Sequence, residues 1–176
     1  MKCVVIGCGR VGSAVALQLA AEGWDVTCVD EKEEALNRLG SWRGGFIVGH
    51  GMDSDVLRDA GVAEADAAVV STDGDNTNIV IGQVLQKRYG IECTVVRVLD
   101  PLRADFYARR GLRTVCPTQT AISVLTDTVR ACDVRPLEPT GAASAPRRRE
   151  RCTRSSRVGG RSERTSRARS WTWATR

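Results

Sequence analysis

The chain is 176 residues long, a length that favours one domain with an appendage. It has no apolar run long enough to cross a membrane, about 18 residues, so no spanning helix is expected. Its formal charge of +5 averages two unlike parts. Residues 141–176 carry 11 arginines against two glutamates, net +9, while residues 1–140 carry 15 basic and 19 acidic side chains, net −4. The folded part is therefore expected to be mildly acidic, without a basic face for nucleic acid. Seven cysteines at 3, 8, 28, 93, 116, 132 and 152 include no C-x-x-C pair, and His50 is the one histidine, so the spacing of a zinc site is missing and no metal is expected. The odd, scattered thiols suit a reducing compartment, and Met1-Lys2-Cys3 runs straight into a strand without a signal-peptide pattern; a cytoplasmic protein is expected.

Lys2–Gly7 is a short β-branched run ending in glycine, which suits a strand buried on both faces. Val11, Ala14, Val15 and Leu19 then recur at helical spacing until Gly23. Trp24–Asp30 predicts a second strand, Glu31–Leu39 a charged helix closed by Gly40, and Gly45–Gly49 a third strand. A short helix over Asp53–Asp59 stops at Gly61, Ala67–Ser71 is a strand, and Asp75–Tyr89 is a helix. Glu92–Leu99 is a strand, Pro101–Arg110 a helix with proline at its start, Thr114–Cys116 a short strand. Thr118–Arg130 closes the series as a helix with Ala121, Ile122, Leu125 and Val129 on one face.

Six strands alternating with helices predict an α/β, doubly wound parallel Rossmann sheet of order 3-2-1-4-5-6 over residues 1–131. Residues 132–140 read as a linker. Residues 141–176 lack Ile, Leu, Phe, Tyr and Lys, and too little apolar surface remains to offset ordering entropy, so a disordered arginine-rich tail is expected. That all-arginine basicity also resembles a GC-rich gene translated out of frame, a reading that resequencing tests.

Gly7, Gly9 and Gly12 form G-x-G-x-x-G between the first strand and its helix. Gly7 permits the tight turn, Gly9 admits a pyrophosphate to the backbone, and Gly12 allows close helix–strand packing. Asp30 stands 18 residues after Gly12 at the end of the second strand, where a carboxylate accepts ribose hydroxyls and disfavours a 2′-phosphate. The pair predicts NAD(H) over NADP(H), with Lys32 softening the exclusion. Arg10 lies either beside the pyrophosphate or in solvent. Cys8 reads as a small residue filling the turn, although a helix N-terminus also stabilises a thiolate. The remaining strand ends place Gly51 and Met52 near an adenine, Thr72 and Asp73 beside the switch point, and Arg97 toward either the cleft or a neighbouring helix. His50, on a loop between glycines, has no evident orienting partner, and no catalytic residue is expected.

The stretches Gly7–Gly12, Val48–Asp53, Leu57–Gly61, Ala65–Ala67, Ser71–Val80, Val96–Pro101 and Gly111–Thr118 together resemble the nucleotide-binding subunit of bacterial Trk/Ktr potassium-uptake systems, the TrkA-N or RCK-N family. The resemblance runs from Met1 to about Arg130. It implies a cytosolic regulator that forms dimers and a larger ring beneath a membrane-embedded potassium transporter and responds to NAD(H) or to ATP and ADP. Its nucleotide contacts would be Gly7, Cys8, Gly9, Arg10, Val11 and Gly12, with Asp30, Gly51, Met52, Thr72, Asp73 and Arg97. Two departures stand out: the family often has Gly-Asp where this chain has Gly49-His50, and the arginine-rich tail occupies the place of the usual C-terminal subdomain. Two other classes are weighed against this one. A small NAD-dependent oxidoreductase or redox sensor lacks a substrate domain, and the tail's generic affinity for nucleic acid is not specific.

Overall fold

A computed structural model describes residues 1–132 of the chain. Except for Cys132, the expected linker and the arginine-rich tail lie outside the described residues. Strand β1 (Lys2–Ile6) leads into helix α1 (Arg10–Ala21), β2 (Asp25–Asp30), a 3-10 segment (Glu33–Leu39) and β3 (Gly45–Val48). There follow α2 (Ser54–Asp59), a 3-10 turn (Val62–Glu64), β4 (Ala67–Val70), α3 (Asp75–Arg88), β5 (Cys93–Arg97), α4 (Pro101–Ala108), β6 (Arg113–Val115) and α5 (Pro117–Ala131).

The strands form one six-stranded sheet in the order β3-β2-β1-β4-β5-β6, every pairing parallel, as the alternating pattern predicts. β1 is central and its side chains alternate between two cores. Val4 and Ile6 pack with Val29, Val70, Ile81, Leu85 and Val96 on one face. Cys3 and Val5 pack with Val26, Cys28, Ala16 and Leu39 on the other, beneath α1 and the first 3-10 segment. This two-sided burial is why the central strands read as continuous apolar runs rather than alternating ones. The register sets Ile6 beside Val29 and Val70, so β1, β2 and β4 end at one level. Gly7 N–H then donates to the Val29 carbonyl (2.8 Å), and Ser71 N–H to the Ile6 carbonyl (2.8 Å), which fastens the three loops that follow.

Two expected elements differ from the folded ones. The helix expected over Glu31–Leu39 is a 3-10 segment that starts at Glu33. Lys32 is extended and its N–H donates to the Asp30 carboxylate (2.9 Å), which delays the start. Only Ala35 and Leu39 of the segment are buried, too narrow an apolar face to hold a longer helix on the sheet. The strand expected over Glu92–Leu99 ends at Arg97. The Asp75 carboxylate takes the N–H groups of Leu99 (2.8 Å) and Asp100 (2.9 Å) and bends the chain away from the sheet.

Helix α5 forms where its periodicity predicts, begun by Pro117 and capped by the Cys116 thiol, which accepts the Gln119 N–H. None of its residues is buried, and Ile122, Val124, Leu125 and Val129 are 49–65% exposed.

Candidate functional site

The loops at the carboxyl ends of β1, β2, β3, β4 and β5 surround a cleft of about 500 Å³, the size range of small-molecule and cofactor sites. Its floor is the glycine turn. Gly7 has φ +91°, in the left-handed region, and a Cβ there would stand 2.6 Å from Thr72 N. Gly12 is tighter: its Cβ would meet the Gly7 carbonyl oxygen at 1.9 Å. Gly9, in contrast, faces open space, with nothing within 4 Å of a Cβ built on it. Two glycines thus serve packing, and the third keeps the backbone accessible from the cleft. Gly9 caps α1 without a side-chain acceptor for its first-turn N–H groups, the electropositive end of a helix.

Asp30 is tied to this turn. One carboxylate oxygen accepts the Cys8 N–H at 2.7 Å and the other the Lys32 N–H at 2.9 Å. The carboxylate is thereby fixed at the cleft wall, and each oxygen keeps a second lone pair for a further donor. Gly7, Gly9, Arg10, Val11, Asp30, Gly51, Thr72, Asp73 and Arg97 all line the cleft, so the structure brings together nine of the twelve residues singled out from the sequence. The other three stand apart. Cys8 is 0% exposed, with its thiol in the core and only its N–H turned to Asp30. Gly12 is buried under the turn, and Met52 is 47% exposed outside the cleft.

The thiols beneath the turn are poorly disposed to ionise. A hydrogen bond with Cys8, followed by burial, pushes the Cys28 thiol far up, and burial, followed by the nearby Cys93, pushes Cys3 up to about 11. A protonated thiol is a weak nucleophile, so neither Cys3 nor Cys28 is poised to react.

The β4 side of the cleft is held by a residue that falls within the Ser71–Val80 stretch but has no role assigned from the sequence. Asn78, in the first turn of α3, is 0% exposed and uses its amide fully. Its Oδ1 accepts the Thr72 N–H (2.9 Å) and the Thr72 hydroxyl (2.6 Å). Its Nδ2 donates to the carbonyls of Thr72 (3.0 Å) and Arg97 (3.0 Å). The loop after β4 and the end of β5 are clipped together through one side chain. Arg97 turns into the cleft rather than to a helix, donating Nη2–H to the Thr72 carbonyl. Its Nε is buried and has no acceptor among the described residues. Ser71 stands at a strand end that the sequence marks, but its role is decided by the fold: its hydroxyl donates to the Gly7 carbonyl at 2.9 Å and braces the glycine turn against β4. The signal for both residues was the string Ser71-Thr72-Asp73-Gly74-Asp75-Asn76-Thr77-Asn78, in which polar residues crowd a strand-to-helix junction.

His50 does have a partner in the structure. Its Nε2 lies 3.2 Å from a Glu31 carboxylate oxygen, with both side chains exposed, while its Nδ1 accepts the Met52 N–H (3.1 Å). Among the described residues no cluster of His, Cys, Asp or Glu is arranged to hold a metal, and no helix is long and apolar enough to cross a membrane.

Comparison with known proteins places this geometry. The chain is 38% identical over 144 residues to the Trk system potassium uptake protein TrkA of Streptomyces coelicolor, an alignment covering 80% of this chain and 65% of that protein. The chain therefore spans a little under two thirds of that relative. Two solved structures share the fold at 22% identity and TM-score 0.63: the Shewanella denitrificans Kef C-terminal domain in an AMP-bound form, and the GsuK channel bound to NAD. The first match covers 76% of this chain and 84% of that one, the second 73% and 23%. The model of the TrkA-N domain family matches residues 3–118, from the start of β1 to the start of α5, and the chain belongs to that family.

Proposed function

We propose that this chain is a cytoplasmic regulatory subunit of a potassium uptake system, which binds NAD(H), with ADP or ATP as competing ligands, and does not transform it. The cleft is the observation that carries this reading: an open helix N-terminus at Gly9, a fixed carboxylate at Asp30 and a cation at Arg97 are spaced around one 500 Å³ cavity. The pyrophosphate would lie over Gly7–Gly12, with Arg10 and Arg97 beside it, the ribose on Asp30, and the adenine toward Gly51, with Met52 outside the cleft. Thr72 and Asp73 would close the other end. The potassium-uptake name of the Streptomyces relative and the AMP and NAD of the two solved structures support the same reading.

Regulation requires that the nucleotide bind two arrangements of an assembly with different affinity. Helix α5 is the element suited to join copies, because among the described residues its apolar face is left exposed. The partners are then a second copy of the chain, in a dimer or larger ring, and a membrane-embedded potassium transporter above it at the inner face of the membrane. Sedimentation velocity of the full chain at micromolar concentration is expected to show a dimer or larger species; a monomer overturns this part of the reading.

The function itself is tested by a thermal-shift panel of NAD, NADH, NADP, ADP and ATP. NAD or NADH is expected to raise the melting temperature of the wild type. Asp30→Ala is expected to weaken that binding by about 1.5–3 kcal/mol, the worth of a charge-assisted hydrogen bond, read by calorimetry. No shift with any nucleotide overturns the reading. Steady turnover of NADH with a substrate panel replaces it with an oxidoreductase.

A further inference from the structure

The β2–β3 edge of the cleft carries a polar device that follows from this chain's own sequence. The loop after β3 packs its glycines inward: a Cβ on Gly49 would meet Val56 at 2.4 Å, and one on Gly51 would meet Ile6 at 2.4 Å. His50, between them, is the side chain left to face outward, and both of its nitrogens are engaged. The Met52 N–H bond makes Nδ1 an acceptor and so turns Nε2 toward Glu31, whose carboxylate oxygen lies 3.2 Å away. Glu31 follows Asp30 directly and, in this paired position, lines the cleft, whereas His50 does not.

The same edge holds two cations. Lys32 and Arg38 also line the cleft, and neither is in an ion pair among the described residues. A ribose 2′-phosphate arriving there would find two basic side chains in its favour and two carboxylates against it. Asp30 alone does not settle that contest, since its charge is already shared between two backbone N–H groups. Glu31 tips the balance only if its flexible side chain is kept at the cleft, and His50 Nε2 is the group in contact with it there.

We propose that His50 is a positioning residue: it holds the Glu31 carboxylate at the ribose end of the cleft, and this held charge makes the site select a nucleotide with a free 2′-hydroxyl over one with a 2′-phosphate. The inference rests on the reading of the cleft as a dinucleotide site. It extends that reading from the backbone-bound Asp30 to a second carboxylate and its anchor. A general loosening of the loop would lower affinity for all nucleotides alike, whereas loss of a placed charge changes the ratio between two that differ by one phosphate.

The test is calorimetric titration of the full chain with NAD and with NADP. Wild type is expected to prefer NAD. Glu31→Gln, an exposed and nearly isosteric change, is expected to reduce that preference by about fivefold or more, chiefly through tighter NADP binding. His50→Ala should reduce it in the same direction, and the double variant should add little to Glu31→Gln alone. His50→Gln, which retains a donor within reach of Glu31, should keep most of the preference. If both affinities change by one common factor, or the ratio stays at its wild-type value in Glu31→Gln, the inference is overturned while the dinucleotide site stands. If the wild type binds neither dinucleotide, the reading of the cleft fails and the inference fails with it.

Discussion

Gly12→Ala is expected to destabilise the protein by about 3 kcal/mol, and Gly9→Ala to leave stability within about 0.5 kcal/mol of wild type while abolishing most nucleotide affinity. The two substitutions add the same methyl group, three residues apart, in one turn. At Gly12 the added Cβ would lie 1.9 Å from the Gly7 carbonyl oxygen and 2.7 Å from the Ser71 hydroxyl. That carbonyl cannot retreat easily. It accepts the Ser71 hydroxyl, and its own residue is held by an N–H bond to Val29 and by a backbone conformation that favours glycine. Relief must come from shifting α1 off the sheet, which opens the core formed by Val5, Ala16 and Cys28. At Gly9 the backbone is extended, with φ −67°, and the space around it is empty, so the folded protein accommodates a methyl group. That empty space is where a pyrophosphate would approach the N–H groups of α1, and a methyl group there is expected to lower NAD affinity at least about tenfold. Denaturant midpoints and calorimetry separate the two effects. Wild-type affinity in Gly9→Ala would move the phosphates away from the glycine turn.

Asn78→Ala is expected to destabilise the chain by about 3 kcal/mol, because two part-buried backbone groups lose the partner that the amide supplied and a cavity opens beneath them. The groups are Thr72 N–H and the Arg97 carbonyl, while the Thr72 carbonyl keeps the Arg97 Nη2–H donor. Asn78→Asp makes a more specific test. It keeps the shape and the acceptor for Thr72, but it turns an oxygen toward the two carbonyls that Nδ2 served. Burial and the facing carbonyls would raise this carboxyl above its unfolded value. The destabilisation would then be largely absent below the unfolded carboxyl range and fully present once the pH exceeds the folded one. The gap between Asn78→Asp and wild type, measured by urea midpoints, should therefore narrow as the pH falls from 7 toward 4. A gap independent of pH would mean that the amide does not face those carbonyls. Nucleotide affinity should fall in both variants, because Thr72 and Arg97 lose their common support at the cleft wall.

The local pattern predicts six strands and the helices between them because each element must bury a stripe or a face, and the residues that do so recur at fixed spacing. The parallel order followed as well, since right-handed crossovers leave few other ways to wind the pattern. The glycine fingerprint and Asp30 were legible for a different reason. They are local requirements of a tight turn and a strand end, written within one βα unit. Ser71, Asn78 and Asp75 were present in the string from Ser71 to Asn78, yet their roles were not. Each acts on a partner far along the chain, Gly7, Arg97 or Leu99–Asp100, and no periodicity encodes a hydrogen bond between segments.

What the sequence determined by itself was the Rossmann fold, the glycine turn and the acid at the end of β2, all set by spacing within neighbouring elements. The tertiary structure decided which of the twelve candidates share one cleft. It buried the Cys8 thiol while leaving its N–H on Asp30, and it turned Arg97 into the cavity. It also gave His50 the partner, Glu31, that its own loop lacks. Those outcomes depend on the register that ends β1, β2 and β4 at one level and on the packing of the loops above them. Both are properties of the assembled sheet rather than of any segment in it.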